Sequence, residues 1–128
     1  MSKVLVVDDE AGARRTLMRL LAKEGYETEG AGDGKEALRT LEHATPDVIL
    51  LDLMMPQMDG LELLEALQAH PQWKALPVVV LTALSDTHTV NRARQLGAKA
   101  YLVKATFSVA EMMDHVHRYA NGHSTGHA

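Results

Sequence analysis

The chain has no cysteine, which removes disulfides, thiolate metal sites and cysteine nucleophiles by inventory alone. That absence fits a reducing compartment. No apolar run approaches the length needed to span a bilayer, about 20 residues. The opening "MSKVLVVDDE" holds one lysine and a short apolar run cut off by three acids, unlike the apolar region of a secretory signal. A cytoplasmic location is expected. Lys and Arg number 13 against 17 Asp and Glu, for a formal net charge of −4. Without a basic excess there is no general attraction to nucleic acid or to an anionic membrane. Internal repeats are lacking, and the first apolar run leads into "DDEAGA" rather than a glycine-rich phosphate loop. A nucleotide-binding fold of that type is therefore disfavoured.

What is present suits one globular domain: 128 residues, 46% hydrophobic and 23% charged. The expected division is a domain over residues 1–120 and a small polar tail, "NGHSTGHA", over 121–128, the tail frayed. Its His123 and His127, with His115 and His117 before them, read as exposed histidines, since no carboxylate pattern accompanies them as a metal site would require.

Apolar runs of strand length recur as Val4–Val7, Asp47–Leu51, Pro77–Leu81 and Ala100–Val103, nearly unbroken, as parallel strands covered on both faces tend to be. The alternating "YETEGA", Tyr26–Ala31, is the expected edge strand. Between the strands, helical periods fit Glu10–Glu24, Gly34–His43, Met58–His70, Thr87–Leu96 and Phe107–Ala120. Asp33 and Asp86 are expected N-caps, and Gly25 and Gly97 expected stops. Strand and helix thus alternate five times, the signature of an open, doubly wound α/β sheet with right-handed crossovers. Such sheets bind ligands beyond the carboxyl ends of their strands.

At that edge fall Asp8 and Asp9, which follow the first strand, Asp52, which ends the third, Thr82, which ends the fourth, and Lys104, which ends the fifth. Three carboxylates crowded together repel one another unless a cation neutralises them. Oxygen ligands without His or Cys favour Mg²⁺ or Mn²⁺, and Mg²⁺ commonly also binds phosphate oxygens. Lys104 offers a compact positive charge and Thr82 a hydroxyl for phosphoryl oxygens, which leaves Asp52 as a nucleophile able to form an aspartyl phosphate.

Over Lys3 to about Tyr119 the chain resembles the receiver domain of two-component response regulators. The motifs "VVDDE", "LLDLMMPQMDG", "VVVLTA" and "AYLVKA" carry the resemblance. They stand in order, with Thr82 30 positions after Asp52 and Lys104 22 after Thr82. The resemblance implies a flavodoxin-like five-stranded parallel sheet in order 2-1-3-4-5 with helices on both faces. It further implies that Asp52 is the phosphoacceptor, and that Asp8, Asp9, Asp52 and the Met54 backbone carbonyl bind Mg²⁺. Lys104 becomes the phosphate partner, and Thr82 and Tyr101 the switch residues. Ala105 departs from the family, which usually has proline there, often after a cis peptide. A cis bond before a non-proline residue costs about 2.5–4 kcal/mol, so a trans Lys104–Ala105 bond and an altered loop are expected.

Met54 and Leu84, each two positions beyond a site residue, are apolar, and neither is expected to orient an attacking water; small Ala83 leaves room for a phosphodonor. The expected partner is a histidine kinase or phosphotransfer protein, with Arg14, Met18 and Ala22 as a candidate docking face on the first helix. Phosphorylation is expected to alter protein–protein affinity in a monomer or a phosphorylation-dependent dimer. No effector segment follows the tail, so output is expected through another protein unless the chain is part of a longer one. A phosphorylation-independent interaction module is the alternative, supported only by Ala105. A phosphohydrolase of the haloacid-dehalogenase type ranks lower, because Met54 stands where a second aspartate is needed.

Overall fold

A computed structural model describes residues 2–124 of the chain. Its elements alternate as β1 (Lys3–Val7), α1 (Ala11–Lys23), β2 (Glu27–Ala31), α2 (Gly34–His43), β3 (Val48–Leu51), α3 (Gly60–Ala69), β4 (Val78–Thr82), α4 (Thr87–Gln95), β5 (Ala100–Val103) and α5 (Val109–Ser124). All strand pairs are parallel, in the order β2-β1-β3-β4-β5, as expected. Strand side chains alternate between faces, and both faces here are covered, so the central strands β1, β3 and β4 are apolar at every position except Lys3, which opens β1, and Thr82, which closes β4. Val4, Val6, Val48, Leu50, Val79 and Leu81 meet Leu17 and Leu21 of α1 and Met112 and Val116 of α5. Leu5, Val7, Ile49, Leu51, Val78 and Val80 meet Ala37 and Leu41 of α2, Leu63, Leu64 and Leu67 of α3 and Ala93 of α4. By contrast β2, on the edge, is buried only at Ala31.

Helix ends follow local chemistry. Asp33 accepts from the Glu36 amide and Asp86 from the Thr89 amide, both acting as the N-caps expected. Gly25 and Gly97 take φ of +94° and +100° just past α1 and α4, the left-handed turn that glycine permits most cheaply. Three boundaries differ from expectation by two residues or more, and several others by one. α3 starts at Gly60 rather than Met58, because Gln57 and Met58 hold positive φ. The start is then set by Asp59, whose carboxylate accepts from the Glu62 amide while Glu62 accepts from the Asp59 amide. α5 begins at Val109 rather than Phe107, with Ser108 Oγ accepting from the Glu111 amide. It continues to Ser124, four residues past the expected end at Ala120; residues 125–128 of the expected tail, including His127, lie outside the described residues.

His115 stacks on Tyr119, and His117 joins the Tyr26 hydroxyl and Glu24. Burial, and secondarily the Glu24 charge, raise the Tyr26 pKa. In the segment that leads into β4, Trp73 lies flat on His70, ring centroids 3.8 Å apart, beside the last residues of α2.

Candidate functional site

Strand register alone brings the site together. Val7 pairs with Leu51 and Leu51 with Val80, while Thr82 pairs with Val103. Asp8, Asp52 and Lys104 are each the first residue past a strand, and Thr82 is the last residue of β4. Backbone bonds hold them there: Asp52 N donates to Val7 O at 2.9 Å, Asp8 N to Ala31 O at 3.0 Å and Lys104 N to Thr82 O at 2.7 Å. Four separate segments thus meet at one rim.

Asp8, Asp52 and Thr82 are the only buried polar or charged residues among those described, at 2%, 6% and 0% exposure. Buried polar groups need partners, and these have them. Thr82 Oγ1 donates to Asp52 Oδ1 at 2.7 Å, and the Met54 amide donates to the same oxygen at 3.0 Å. Lys104 Nζ reaches Asp52 Oδ2 at 3.0 Å and Asp8 Oδ2 at 2.9 Å. Burial works against the Lys104 charge, but hydrogen bonds to Asp8 and Asp52 outweigh it and raise its pKa. The Lys104–Ala105 peptide is trans, and the lysine reaches the pocket without proline after it.

Asp9 is exposed at the lip. Each of Asp8, Asp9 and Asp52 offers an oxygen, all within 4.8 Å of one another, the one such cluster of potential metal ligands among the described residues. The arrangement of three hard oxygen donors with no nitrogen or sulfur suits Mg²⁺ or Mn²⁺.

Tyr101 lies half-buried on β5, its hydroxyl donating to Leu84 O at 2.8 Å. Burial, then the charges of Asp86 and Asp52, raise its pKa. The hydroxyl therefore stays a donor at neutral pH, tying β5 to the loop after β4. Ala83 is exposed and Leu84 half-buried. Met54, 51% exposed, lines an open apolar cleft with Leu84, Met55 and Pro56 beside Asp9.

The proposed docking face of α1 is only partly free. Ala22 is exposed, but Arg14 and Met18 are half-buried against β2 at Gly30, and Arg14 Nη1 donates to the Asp8 carbonyl at 2.6 Å. Part of the Arg14 side chain is thus committed to β2 and to the backbone beside the acidic pair. A basic residue one turn into a helix that follows an acidic pair is a signal, but one that does not say which oxygen it reaches.

The family profile for the response regulator receiver domain matches residues 4–117. The chain is 42% identical over 112 residues to the transcriptional regulatory protein PdtaR of Mycobacterium tuberculosis, covering 87% of this chain and 53% of that one, so it spans about half of that relative's length. It is 34% identical over 117 residues to sporulation initiation phosphotransferase F of Bacillus subtilis, covering 91% and 92%. Among solved structures, the chemotaxis protein CheY4 of Vibrio cholerae is similar with a TM-score of 0.85 at 35% identity, over 93% of this chain and 98% of that one. The BeF3-activated receiver domain of RstA from Klebsiella pneumoniae matches with a TM-score of 0.84 at 26% identity, over 92% and 97%.

Proposed function

Since the chain belongs to the response regulator receiver family, a family of phosphorylation-activated signalling domains, we propose that Asp52 is its phosphoacceptor and that Lys104, Thr82, Asp8 and Asp9 make the transfer possible. One observation supports this reading most strongly. A nearly buried carboxylate is held between a hydroxyl and an ammonium, beside two further carboxylates at the sheet's carboxyl rim.

Asp8, Asp9 and Asp52, with the Met54 carbonyl, would hold Mg²⁺, which when bound neutralises charge on the transferring phosphoryl oxygens. A carboxylate oxygen of Asp52 attacks phosphorus. The new O–P bond forms as the bond to the donor, a phosphohistidine nitrogen or an acyl oxygen, breaks with its electron pair leaving on the donor. No proton has to leave Asp52. Lys104 and the Thr82 hydroxyl, which already bond this carboxylate, turn to the phosphoryl oxygens. The site is a transfer acceptor rather than a conventional enzyme, limited to self-phosphorylation from a donor and slow self-hydrolysis.

Thr82 is the last residue of β4, and Tyr101 grips the backbone two positions later at Leu84. Movement of Thr82 toward phosphate would draw that loop inward, let Tyr101 change rotamer and remodel the surface of α4, β5 and α5. A differential of a few kcal/mol is enough for such a population shift. The donor would be a histidine kinase or phosphotransfer protein in the cytoplasm, and the output a changed affinity for another protein or for a second copy of the chain. Ala105 gives the interaction-module alternative no support from the pocket, because Lys104 still reaches both carboxylates.

Incubation with an acyl phosphate and Mg²⁺, followed by intact mass, tests the reading. Wild type should gain one phosphoryl group and Asp52→Asn none; equal labelling of both would sink the assignment of Asp52.

A further inference from the structure

Asp9 is the one carboxylate of the cluster with no hydrogen bond or ion pair to its side chain among the described residues. Its carboxylate therefore turns only on its own two side-chain torsions, and the backbone at Asp9 sets which positions those torsions can reach. On one side Asp8 is pinned three times: its amide donates to Ala31 O at 3.0 Å, its Oδ1 accepts from the Glu10 amide at 2.9 Å, and its Oδ2 accepts from Lys104. On that side the backbone freedom left is rotation of the peptide joining Asp8 to Asp9. Arg14 Nη1 holds the carbonyl of that peptide at 2.6 Å.

Resting on the reading that this cluster binds Mg²⁺, we infer that Arg14 is a positioning residue for the metal site. It fixes the Asp8–Asp9 peptide so that Asp9 points its carboxylate at the oxygens of Asp8 and Asp52. The arginine is itself braced. Its stem crosses β2 where Gly30 has no side chain, close enough that a Cβ there would lie 3.1 Å from Arg14 Cδ and 3.3 Å from Nε. A second glycine, Gly32, leaves room beside the guanidinium, with 3.5 Å from a Cβ there to Nη1. Two small residues of the edge strand and the turn after it thus make the slot in which Arg14 lies.

Charge and position predict opposite signs for removing this group. A guanidinium near a cation site repels the cation, so if Arg14 acted only through charge, a neutral residue would tighten Mg²⁺ binding. If it acts by orienting Asp9, a neutral residue weakens binding despite the relieved repulsion. Groups that orient metal ligands typically change affinity by about 10–100-fold.

Calorimetric titration of the full chain with Mg²⁺ decides between them, with metal-free thermal midpoints measured in parallel. Arg14→Met, which keeps the apolar stem and removes the donor, should raise the Mg²⁺ dissociation constant about tenfold. Arg14→Lys, with the charge but a single shorter point of contact, should fall between it and wild type. Met18→Ala, which alters the packing beside Gly30 but not the Asp8 carbonyl bond, should bind as wild type does. Unchanged or tighter binding by Arg14→Met overturns the inference, as does a lowered midpoint with Mg²⁺ affinity intact. If Arg14→Met does not fold, wild-type affinity in Arg14→Lys overturns it equally. Failure of wild type itself to bind Mg²⁺ would strike the reading of the cluster rather than the role of Arg14.

Discussion

Lys104 sits under opposing forces, since desolvation favours its neutral form while Asp8 and Asp52 favour its charged one, and the carboxylates prevail. A base whose pKa is raised by folding contributes stability that is complete below its unfolded value and is lost as pH rises through the folded one. The unfolding midpoint of the metal-free protein should therefore drop as pH climbs past the ordinary lysine value of 10.5. Lys104→Met should start from a lower midpoint at neutral pH, having stranded two buried carboxylates, and show a shallower alkaline fall. Denaturant melts at a series of pH values would settle it; parallel alkaline slopes would remove Lys104 as the cause. Met54 poses a different question at the same scale. Half-exposed over the apolar cleft, with its amide already spent on Asp52 Oδ1, it has no side-chain donor to orient water. Met54→Asn should shorten the lifetime of phosphorylated Asp52, followed as loss of the adduct by intact mass. Unchanged decay would leave methionine as packing only.

Elements were legible in proportion to how local their determinants are. The unbroken apolar runs announced β1, β3 and β4, and Asp33 and Asp86 announced the starts of α2 and α4, because capping is written within four residues. The start of α3 was missed for a non-local reason. Met58 has a helix former's side chain, yet its φ is +33° and its carbonyl accepts from the Gly34 amide at 3.2 Å, so a contact with α2 overrides its propensity. The Asp59-to-Glu62 spacing was the available clue. Gly60 carries a tighter constraint. A Cβ there would lie 2.5 Å from Leu53 Cα and 2.7 Å from the Asp52 carbonyl oxygen, and backbone cannot swing aside as a side chain can. Gly60→Ala should cost more than about 2 kcal/mol by denaturant unfolding and reduce labelling of Asp52, whose own carbonyl is displaced. A variant as stable as wild type would show that the β3–α3 loop yields more readily than these distances allow.

For the whole molecule, the convergence of Asp8, Asp52, Thr82 and Lys104 could be anticipated because parallel strands end on a common rim. Arg14 escaped, since its partner is a backbone oxygen and no pattern of side chains encodes that pairing. The same topology separates the molecule into a chemically active end, where the strands finish, and an opposite end, where they begin. Trp73, the sole tryptophan, stacks on His70 in the segment leading into β4, at the beginning end. In optical terms the chain therefore carries its natural fluorophore where Asp52 cannot perturb it by contact. Tryptophan emission should follow global unfolding yet remain flat on addition of Mg²⁺ or an acyl phosphate. A luminescent readout of phosphoryl transfer would need a reporter placed by design, and exposed Met54, at the mouth of the pocket, is the position where an introduced indole would see the event.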